Sequence, residues 1–228
     1  LIARHAAPAP RYTSYPTANH FTPAVTPVEA RGWLRRLPDG AHLSLYAHIP
    51  FCRQLCWYCA CTTKMTKRAE PVEAYLTTLL REIETVGRLV PAAHEVRHIH
   101  WGGGSPSLMD GDQIRRLAGA MKDAFRVGGD AEIAVEIDPR DLDVERADAL
   151  AEVGVTRVSL GVQDFEPRVQ DAINRQQSFA LTRDVIQAMR DRGIASINID
   201  LVYGLPHQTT ESVARTIDAV LELAPDRL

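Results

Sequence analysis

Residues 132–162 read EIAVEIDPRDLDVERADALAEVGVTRVSLGV. The segments 132–137 and 157–162 are short and largely apolar, which is the pattern of buried β-strands. Between them, residues 144–153 form a predicted helix, and Gly154 stands where a helix often takes its C-terminal cap. A strand, a crossing helix and a second strand make the unit from which parallel sheets are built.

The same alternation extends in both directions along the chain. Strands are predicted at residues 43–49, 96–101, 132–137, 157–162 and 196–201, and helices at residues 72–90, 112–125, 144–153, 181–192 and 211–223. An open doubly wound sheet and a barrel both fit this order. No G-x-G-x-x-G motif opens the first helix, and the polar residues that could do chemistry sit at or just past the strand ends. We therefore expect an α/β fold with a partial parallel (β/α) barrel.

The composition is that of an ordinary globular chain. The 228 residues are 45% apolar with a formal net charge of -3, which gives no sign of a nucleic-acid or membrane-surface partner. No apolar run is long enough for a membrane span, and no secretory signal is visible. Residues 1–40 are rich in proline and predict an extended N-terminal arm with a short helix around residues 28–37, so the barrel domain is expected at residues 41–228.

All four cysteines lie within residues 52–61. A disulfide framework would spread them along the chain, so the cluster indicates metal or redox chemistry in a reducing compartment, and we expect a cytoplasmic protein. The spacing C-x3-C-x2-C brings Cys52, Cys56 and Cys59 together on one loop, where three thiolates can hold a [4Fe–4S] cluster and leave one iron open. Cys61 follows Cys59 too closely for both to reach corners of one cube. A four-cysteine zinc site and inert buried thiols are the alternatives.

A C-x3-C-x2-C loop at the end of the first strand of a β/α barrel resembles the radical S-adenosylmethionine superfamily. The resemblance implies two cofactors, a [4Fe–4S] cluster on Cys52, Cys56 and Cys59, and S-adenosyl-L-methionine bound to the open iron by its amino and carboxylate groups. Electron transfer from the reduced cluster would break the sulfonium bond and release a 5′-deoxyadenosyl radical.

Further strings are similar to one family within it, the oxygen-independent coproporphyrinogen III oxidases. They are PRYTSYPTA at residues 10–18, YAHIPFC at 46–52, CAC at 59–61, WGGGSP at 101–106, EIDPR at 136–140, SLGVQDF at 159–165 and NIDLVYGLP at 198–206. The arm and the fourth cysteine separate this family from the related haem chaperone. A haem-degrading radical methyltransferase shares the cysteine loop and is the other alternative.

The resemblance implies oxidative decarboxylation in haem biosynthesis. Hydrogen is abstracted from the β-carbon of a propionate side chain, and loss of CO2 and one electron leaves a vinyl group. Two propionates of coproporphyrinogen III react, which gives protoporphyrinogen IX. The implied partners are the tetrapyrrole substrate and a reduced flavodoxin- or ferredoxin-like electron donor, with no nucleic acid and no membrane, and the protein is expected to be a monomer.

The family pattern also implies which residues bind the cofactor. By resemblance they are Tyr46, Gly103, Gly104, Ser105, Glu136, Gln163, Arg175 and Asp200, and Tyr46, close to the sulfonium, is also the catalytic residue. Local chemistry agrees with these roles, because glycines allow a backbone to approach a ligand and a carboxylate in an apolar strand needs a partner. Ser105 stands where the family more often has threonine, and it keeps the hydroxyl.

Four of these features also have a plain structural explanation. Residues 102–104 could form a simple turn, Glu136 could pair with Arg157, Arg175 could be a solvated residue at a helix end, and Tyr46 could belong to the core.

Other aromatic residues near the loop and in the strands carry their own expectations. Trp57 and Tyr58 are expected to pack around the cluster and shield it from water, while His48, His98 and His100 are expected to be structural. Members of the family are longer than this chain and continue with a sixth strand and a separate C-terminal domain that covers the substrate. We therefore expect this chain to be truncated before its last strand.

Overall fold

The computed structural model describes residues 17–228, which divide into two compact units at Leu37 and Pro38. In the first unit, helix α1 (Pro27–Arg35) begins at a capping box in which Thr26 and Glu29 satisfy each other's backbone N–H groups. This helix confirms the one predicted around residues 28–37. Residues 1–16 of the predicted arm, which include residues 10–16 of its motif, lie outside the described residues.

The second unit alternates strands and helices as predicted. Its elements are β1 (His42–Ile49), β2 (Phe51–Cys52), β3 (Lys64–Met65), α2 (Glu70–Gly87), β4 (Glu95–Gly103), α3 (Gly111–Ala124), β5 (Arg126–Ile137), α4 (Val144–Glu152), β6 (Arg157–Gln163), α5 (Pro167–Ala172), α6 (Phe179–Asp191), β7 (Ser196–Leu201) and α7 (Thr210–Glu222). Within residues 17–228, every helix is too short or too polar to traverse a lipid bilayer.

Five strands form one parallel sheet in the order β1-β4-β5-β6-β7. Each strand lies beside the next long strand of the chain, with a helix crossing between them, as right-handed βαβ units require. At the β7 edge, Arg227 adds one further parallel bridge to Asn198. The predicted parallel sheet of five strands is confirmed.

The two faces of this sheet differ in chemistry. One face carries apolar side chains such as Ile99, Val135 and Leu160, which join the buried residues of α2, α3, α4, α6 and α7 in a single core. The opposite face carries polar side chains such as His100 and Glu136. An open doubly wound sheet is covered by helices on both faces and is therefore apolar on both. The one-sided cover is that of a partial barrel, which confirms the predicted fold class.

Local signals explain where the elements begin and end. Asp110, Asp143, Ser178 and Thr209 accept hydrogen bonds from backbone N–H groups at the starts of α3, α4, α6 and α7. Gly154 and Gly193 follow α4 and α6 at φ values of 86° and 82°, as predicted for the helix ends.

Strand β5 is longer than the predicted segment 132–137. It begins at Arg126, which pairs with Glu95 of β4, and it continues through Gly128 and Gly129. Paired glycines usually indicate a turn, and here residues 128–131 have no partner on β4, where the β4–β5 register is irregular between Val96 and His98.

We predict that Leu160→Ala lowers the free energy of unfolding by about 2–5 kcal/mol, because its neighbours fill the resulting cavity only partly. Leu160 lies in β6 and is 0% exposed, whereas Leu221 of α7 is 57% exposed. Leu221→Ala is the matched control, with an expected change below about 0.5 kcal/mol. Urea titrations followed by circular dichroism measure both. Equal losses from the two substitutions would contradict the placement of Leu160 in the core.

Candidate cofactor site

A cavity of about 360 Å³ lies at the carboxyl ends of the sheet strands, between the β2–β3 loop and the ends of β4 to β7. This is the edge at which barrel active sites are built. Most of the predicted site residues line this one cavity. They are Cys52, Cys56, Cys59, Gly103, Gly104, Glu136, Gln163, Arg175 and Asp200.

The cysteine loop is closed by a short parallel ladder that the sequence did not predict. Strand β2 pairs with β3, and the N–H of Thr66 donates to the carbonyl of Cys52 at 2.9 Å. The far side of the loop is tied to the segment after α5. There the side chain of Asn174 donates to the carbonyl of Leu55 at 2.8 Å and accepts from Gln54 at 2.6 Å. Both attachments fix the loop over the cavity.

The thiols of Cys52, Cys56 and Cys59 face this cavity together with Cys61, and all four are free of disulfides. Burial and the nearby Cys59 and Asp138 raise the pKa of the Cys52 thiol to about 12. Among residues 17–228, no three histidine, cysteine or acidic side chains converge on one metal ion. A [4Fe–4S] cube binds each thiolate at a different iron. Its ligands must therefore line the same cavity, but they need not converge on a single ion. The donor set fits such a cube.

Arg175 is a buried residue of the cavity wall, 7% exposed, so the explanation as a solvated helix-end residue is wrong. Its Nη1 donates to Cys56 Sγ at 3.4 Å and to Asp138 at 3.1 Å, and its Nε donates to the carbonyl of Gly161 at 3.1 Å. Burial alone would raise the pKa of the Asp138 carboxyl, but hydrogen bonds and charge from Arg140 and Arg175 outweigh it and lower that pKa.

The glycines after β4 have a packing reason that the sequence did not reveal. Gly103 has a φ of 116°, and a Cβ there would stand 2.7 Å from the His48 ring. A Cβ on Gly104 would stand 2.6 Å from the carbonyl oxygen of Phe51. The N–H of Gly104 donates to the carbonyl of Ile49 at 2.8 Å, which joins the end of β4 to the start of the cysteine loop. These residues form a tight junction and not a simple turn.

Glu136 lies at the carboxyl end of β5 and accepts two hydrogen bonds. One comes from the ring of His100 at 3.1 Å and the other from the backbone N–H of Gly103 at 3.2 Å. Burial alone would raise the pKa of the Glu136 carboxyl, but these hydrogen bonds and the nearby histidines outweigh burial and lower that pKa. The carboxylate is therefore held ionised. Arg157, the alternative partner considered from the sequence, pairs instead with Glu132 at 2.9 Å.

Gln163 and Asp200 close the cavity at the ends of β6 and β7. Gln163 has a φ of 70°, and its backbone carbonyl accepts the N–H of Val202 at 3.1 Å, which joins the ends of the two strands. Asp200 accepts a hydrogen bond from Asn198 at 2.8 Å, while the surrounding walls partly desolvate its carboxyl and raise its pKa. Both side chains offer polar groups to a ligand in the cavity.

Tyr46 and Ser105 lie outside the cavity lining. Tyr46 stands on the polar face of the sheet, 58% exposed, with its hydroxyl 3.0 Å from the ring of His48 and its ring stacked on His100. Its exposure excludes the core explanation considered from the sequence. Ser105 is buried, and its hydroxyl donates to Asp141 at 3.2 Å. The cofactor roles of both residues stay predictions.

Trp57 and Tyr58, the two aromatic residues of the loop, lie in different surroundings. Tyr58 lines the cavity, but Trp57 is 73% exposed, so the expectation that it shields the cluster is wrong. The backbone of Trp57 is held by Ile173, and its side chain points outward into solvent.

Asp138 and Arg140 are charged residues at or beside the cavity to which the sequence alone assigned no role. Both follow β5 directly, and that position at a strand's carboxyl end was the available signal. Arg140 binds Asp138 at 2.7 Å, and its Nη2 lies 3.9 Å from Cys56 Sγ.

Residues 46–220 match the Radical SAM superfamily. The chain is 50% identical over 219 residues to an oxygen-independent coproporphyrinogen III oxidase of Paracoccus denitrificans, covering 96% of this chain and 49% of the relative. It is 51% identical over 218 residues to the same-named protein of Bradyrhizobium diazoefficiens, covering 96% and 48%. The chain thus spans about half the length of the curated relatives it matches.

The solved coproporphyrinogen III oxidase of Escherichia coli, described as a radical SAM enzyme, superposes with a TM-score of 0.89 at 41% identity. The superposition covers 94% of this chain and 49% of that one. These matches confirm the resemblance found in the sequence, and with it the predicted cofactor pair of a [4Fe–4S] cluster and S-adenosylmethionine. The chain therefore belongs to the radical SAM superfamily.

Proposed function

We propose that this chain holds a [4Fe–4S] cluster on Cys52, Cys56 and Cys59 and binds S-adenosylmethionine in the cavity beside it. The observation that carries the proposal is the convergence of three free thiols, two glycines and the polar ends of β5, β6 and β7 on one cavity. When bound, the cluster and S-adenosylmethionine supply a carbon-centred radical that can abstract hydrogen from an unactivated carbon.

The protein's own groups bind and orient the cofactor. Glu136 is ionised and can pair with an ammonium group, while Asp200 can accept hydrogen bonds from hydroxyl groups. Gln163 and the backbone after β4 offer neutral hydrogen-bonding groups along the same wall. Arg175 places a positive charge at Cys56 and can also pair with a carboxylate. Together these groups complement a zwitterionic amino acid joined to a ribose.

The reaction that we assign to the whole protein is the oxidative decarboxylation of coproporphyrinogen III. A propionate side chain loses a hydrogen atom from its β-carbon, then CO2 and one electron, and becomes a vinyl group. Two such conversions give protoporphyrinogen IX. The support is the 50% and 51% identity to relatives that carry the oxidase name, together with the fold of the Escherichia coli enzyme. The polar face of the sheet, on which Tyr46 and His100 lie, leads to the cavity and is the proposed approach for the substrate.

The proposed partners are a tetrapyrrole and a one-electron donor of flavodoxin or ferredoxin type. The donor is needed because the cluster must be reduced before each cleavage of S-adenosylmethionine. Tyr46 is proposed as the residue closest to the reacting end of the cofactor, because its ring stacks on His100 at 5.8 Å and His100 in turn holds Glu136.

We predict that Cys59→Ala abolishes cluster binding, because it removes one of three iron ligands, while Cys61→Ala leaves it intact. The two cysteines are both exposed and lie in the same loop, so they form a matched pair. Iron and sulfide counts and the visible spectrum after anaerobic reconstitution measure the outcome. Loss of iron in both variants would mean that Cys61 is a fourth ligand and that no iron stays open.

We predict that Glu136→Gln weakens the binding of S-adenosylmethionine by roughly ten- to a hundredfold, since a charge-assisted hydrogen bond contributes about 1.5–3 kcal/mol. Equilibrium binding to the cluster-loaded protein without reductant measures the change. Glu132→Gln is the control, because Glu132 lies on the same strand but pairs with Arg157 away from the cavity. Equal affinity in the two variants would remove Glu136 from the cofactor site.

We predict that the full-length protein, assayed without oxygen and with a reductant, releases CO2 from coproporphyrinogen III only when S-adenosylmethionine is present. Chromatography should show a divinyl product. The cluster-free Cys59→Ala variant is the control and should release none. If cluster-loaded protein releases no CO2 from this substrate, the oxidase proposal is rejected.

A further inference from the structure

Two guanidinium groups approach the same thiol. Arg175 Nη1 donates to Cys56 Sγ at 3.4 Å, and Arg140 Nη2 lies 3.9 Å from that sulfur. Asp138 lies between them and accepts from Arg140 Nη2 at 2.7 Å and from Arg175 Nη1 at 3.1 Å. Two positive side chains and one negative side chain leave one positive charge in excess beside Cys56.

The charges of this group are poorly screened. The side chains of Arg140, Asp138 and Arg175 are 18%, 13% and 8% exposed. Charges in such surroundings act more strongly than charges in water, because the effective dielectric constant is lower. Within residues 17–228, Cys56 is the only cysteine that receives a guanidinium, so the excess charge acts at one corner of the predicted cluster.

We propose that Arg140 is a positioning residue that raises the reduction potential of the cluster through Cys56. The inference rests on the cluster of the proposed function. Reduction adds one electron, and therefore one negative charge, to the cluster and its thiolates. A fixed positive charge and hydrogen-bond donors at a ligand sulfur stabilise the reduced form more than the oxidised form. Asp138 holds both arginines in place and tempers their effect with its own charge.

Arg140 is the most informative residue to substitute, because its position differs from those of Asp138 and Arg175. Asp138 and Arg175 line the cavity, whereas Arg140 reaches Cys56 from outside the lining. A substitution at Arg140 therefore changes the charge at the sulfur without removing a group that faces a bound cofactor. Its effect on potential can be separated from any effect on the binding of S-adenosylmethionine.

The test uses the full-length protein with an anaerobically reconstituted cluster and no S-adenosylmethionine. A redox titration followed by the electron paramagnetic resonance signal of the reduced cluster gives the midpoint potential. Arg140→Gln should shift it to a more negative value, and Arg140→Lys should shift it less because the charge is kept. Asp138→Asn should shift it to a more positive value. Arg183→Gln, which removes a 59% exposed arginine paired with Asp184, is the control and should leave it unchanged.

Opposite shifts of the midpoint potential in Arg140→Gln and Asp138→Asn support the proposal. A general loss of packing would not shift the potential in opposite directions according to the sign of the charge removed. An unchanged potential in Arg140→Gln, or shifts of the same sign in both variants, overturns it. If Arg140→Gln loses its iron, Asp138→Asn decides alone, and a potential that is not raised overturns the proposal. Wild-type protein without iron would refute the proposed function as well, whereas a full cluster with unmoved potentials would refute this inference only.

Discussion

Helices cover only one face of the parallel sheet, while the pleat of each strand points every second side chain toward the opposite, uncovered face. Alternate residues must therefore be apolar on one side, as Ile99 and Val135 are, and polar on the other, as His100 and Glu136 are. Because neighbouring strands run in parallel, their carboxyl ends meet at one edge. The cavity at that edge lies between these strand ends and the cysteine loop.

Several charged side chains lie at the carboxyl-end edge of the sheet. Two carboxylates among them are paired with residues from distant parts of the chain. Asp138 at the end of β5 is paired with Arg175, which follows α5 and contacts Cys56 in the cysteine loop. Glu136 is held by His100 of the neighbouring strand. A buried charge without a partner is costly, so each of these contacts makes the position of one segment depend on another. The site is therefore held as a network, although its thiols come from one loop.

The sequence predicts much of this arrangement because its signals repeat. Five apolar strands, the glycines at helix ends and the polar residues at strand ends are each visible locally, and Asp200 follows that pattern. The remainder depends on register and packing. Arg157 lies beside Ala134, midway along the strand between Glu132 and Glu136, and it pairs with Glu132 while Glu136 is bound by His100. The outward turn of Trp57 and the approach of Arg140 to Cys56 likewise depend on contacts between segments distant in sequence.

The cysteine loop and the opposing wall make different contributions, and this explains why a short motif identifies a superfamily but not a reaction. Three thiols within residues 52–59 lie on one loop because of their spacing, so the loop by itself makes metal chemistry possible. The carboxylates and amide that face it come from β5, β6 and β7, and in the proposed function they select the ligand that shares the cavity with an open iron. The loop is tied to Asn174 and Ile173, beyond β6, so its sulfurs hold a fixed position relative to that wall. In the proposed function, substrate choice then arises beyond this wall, on the polar face of the sheet.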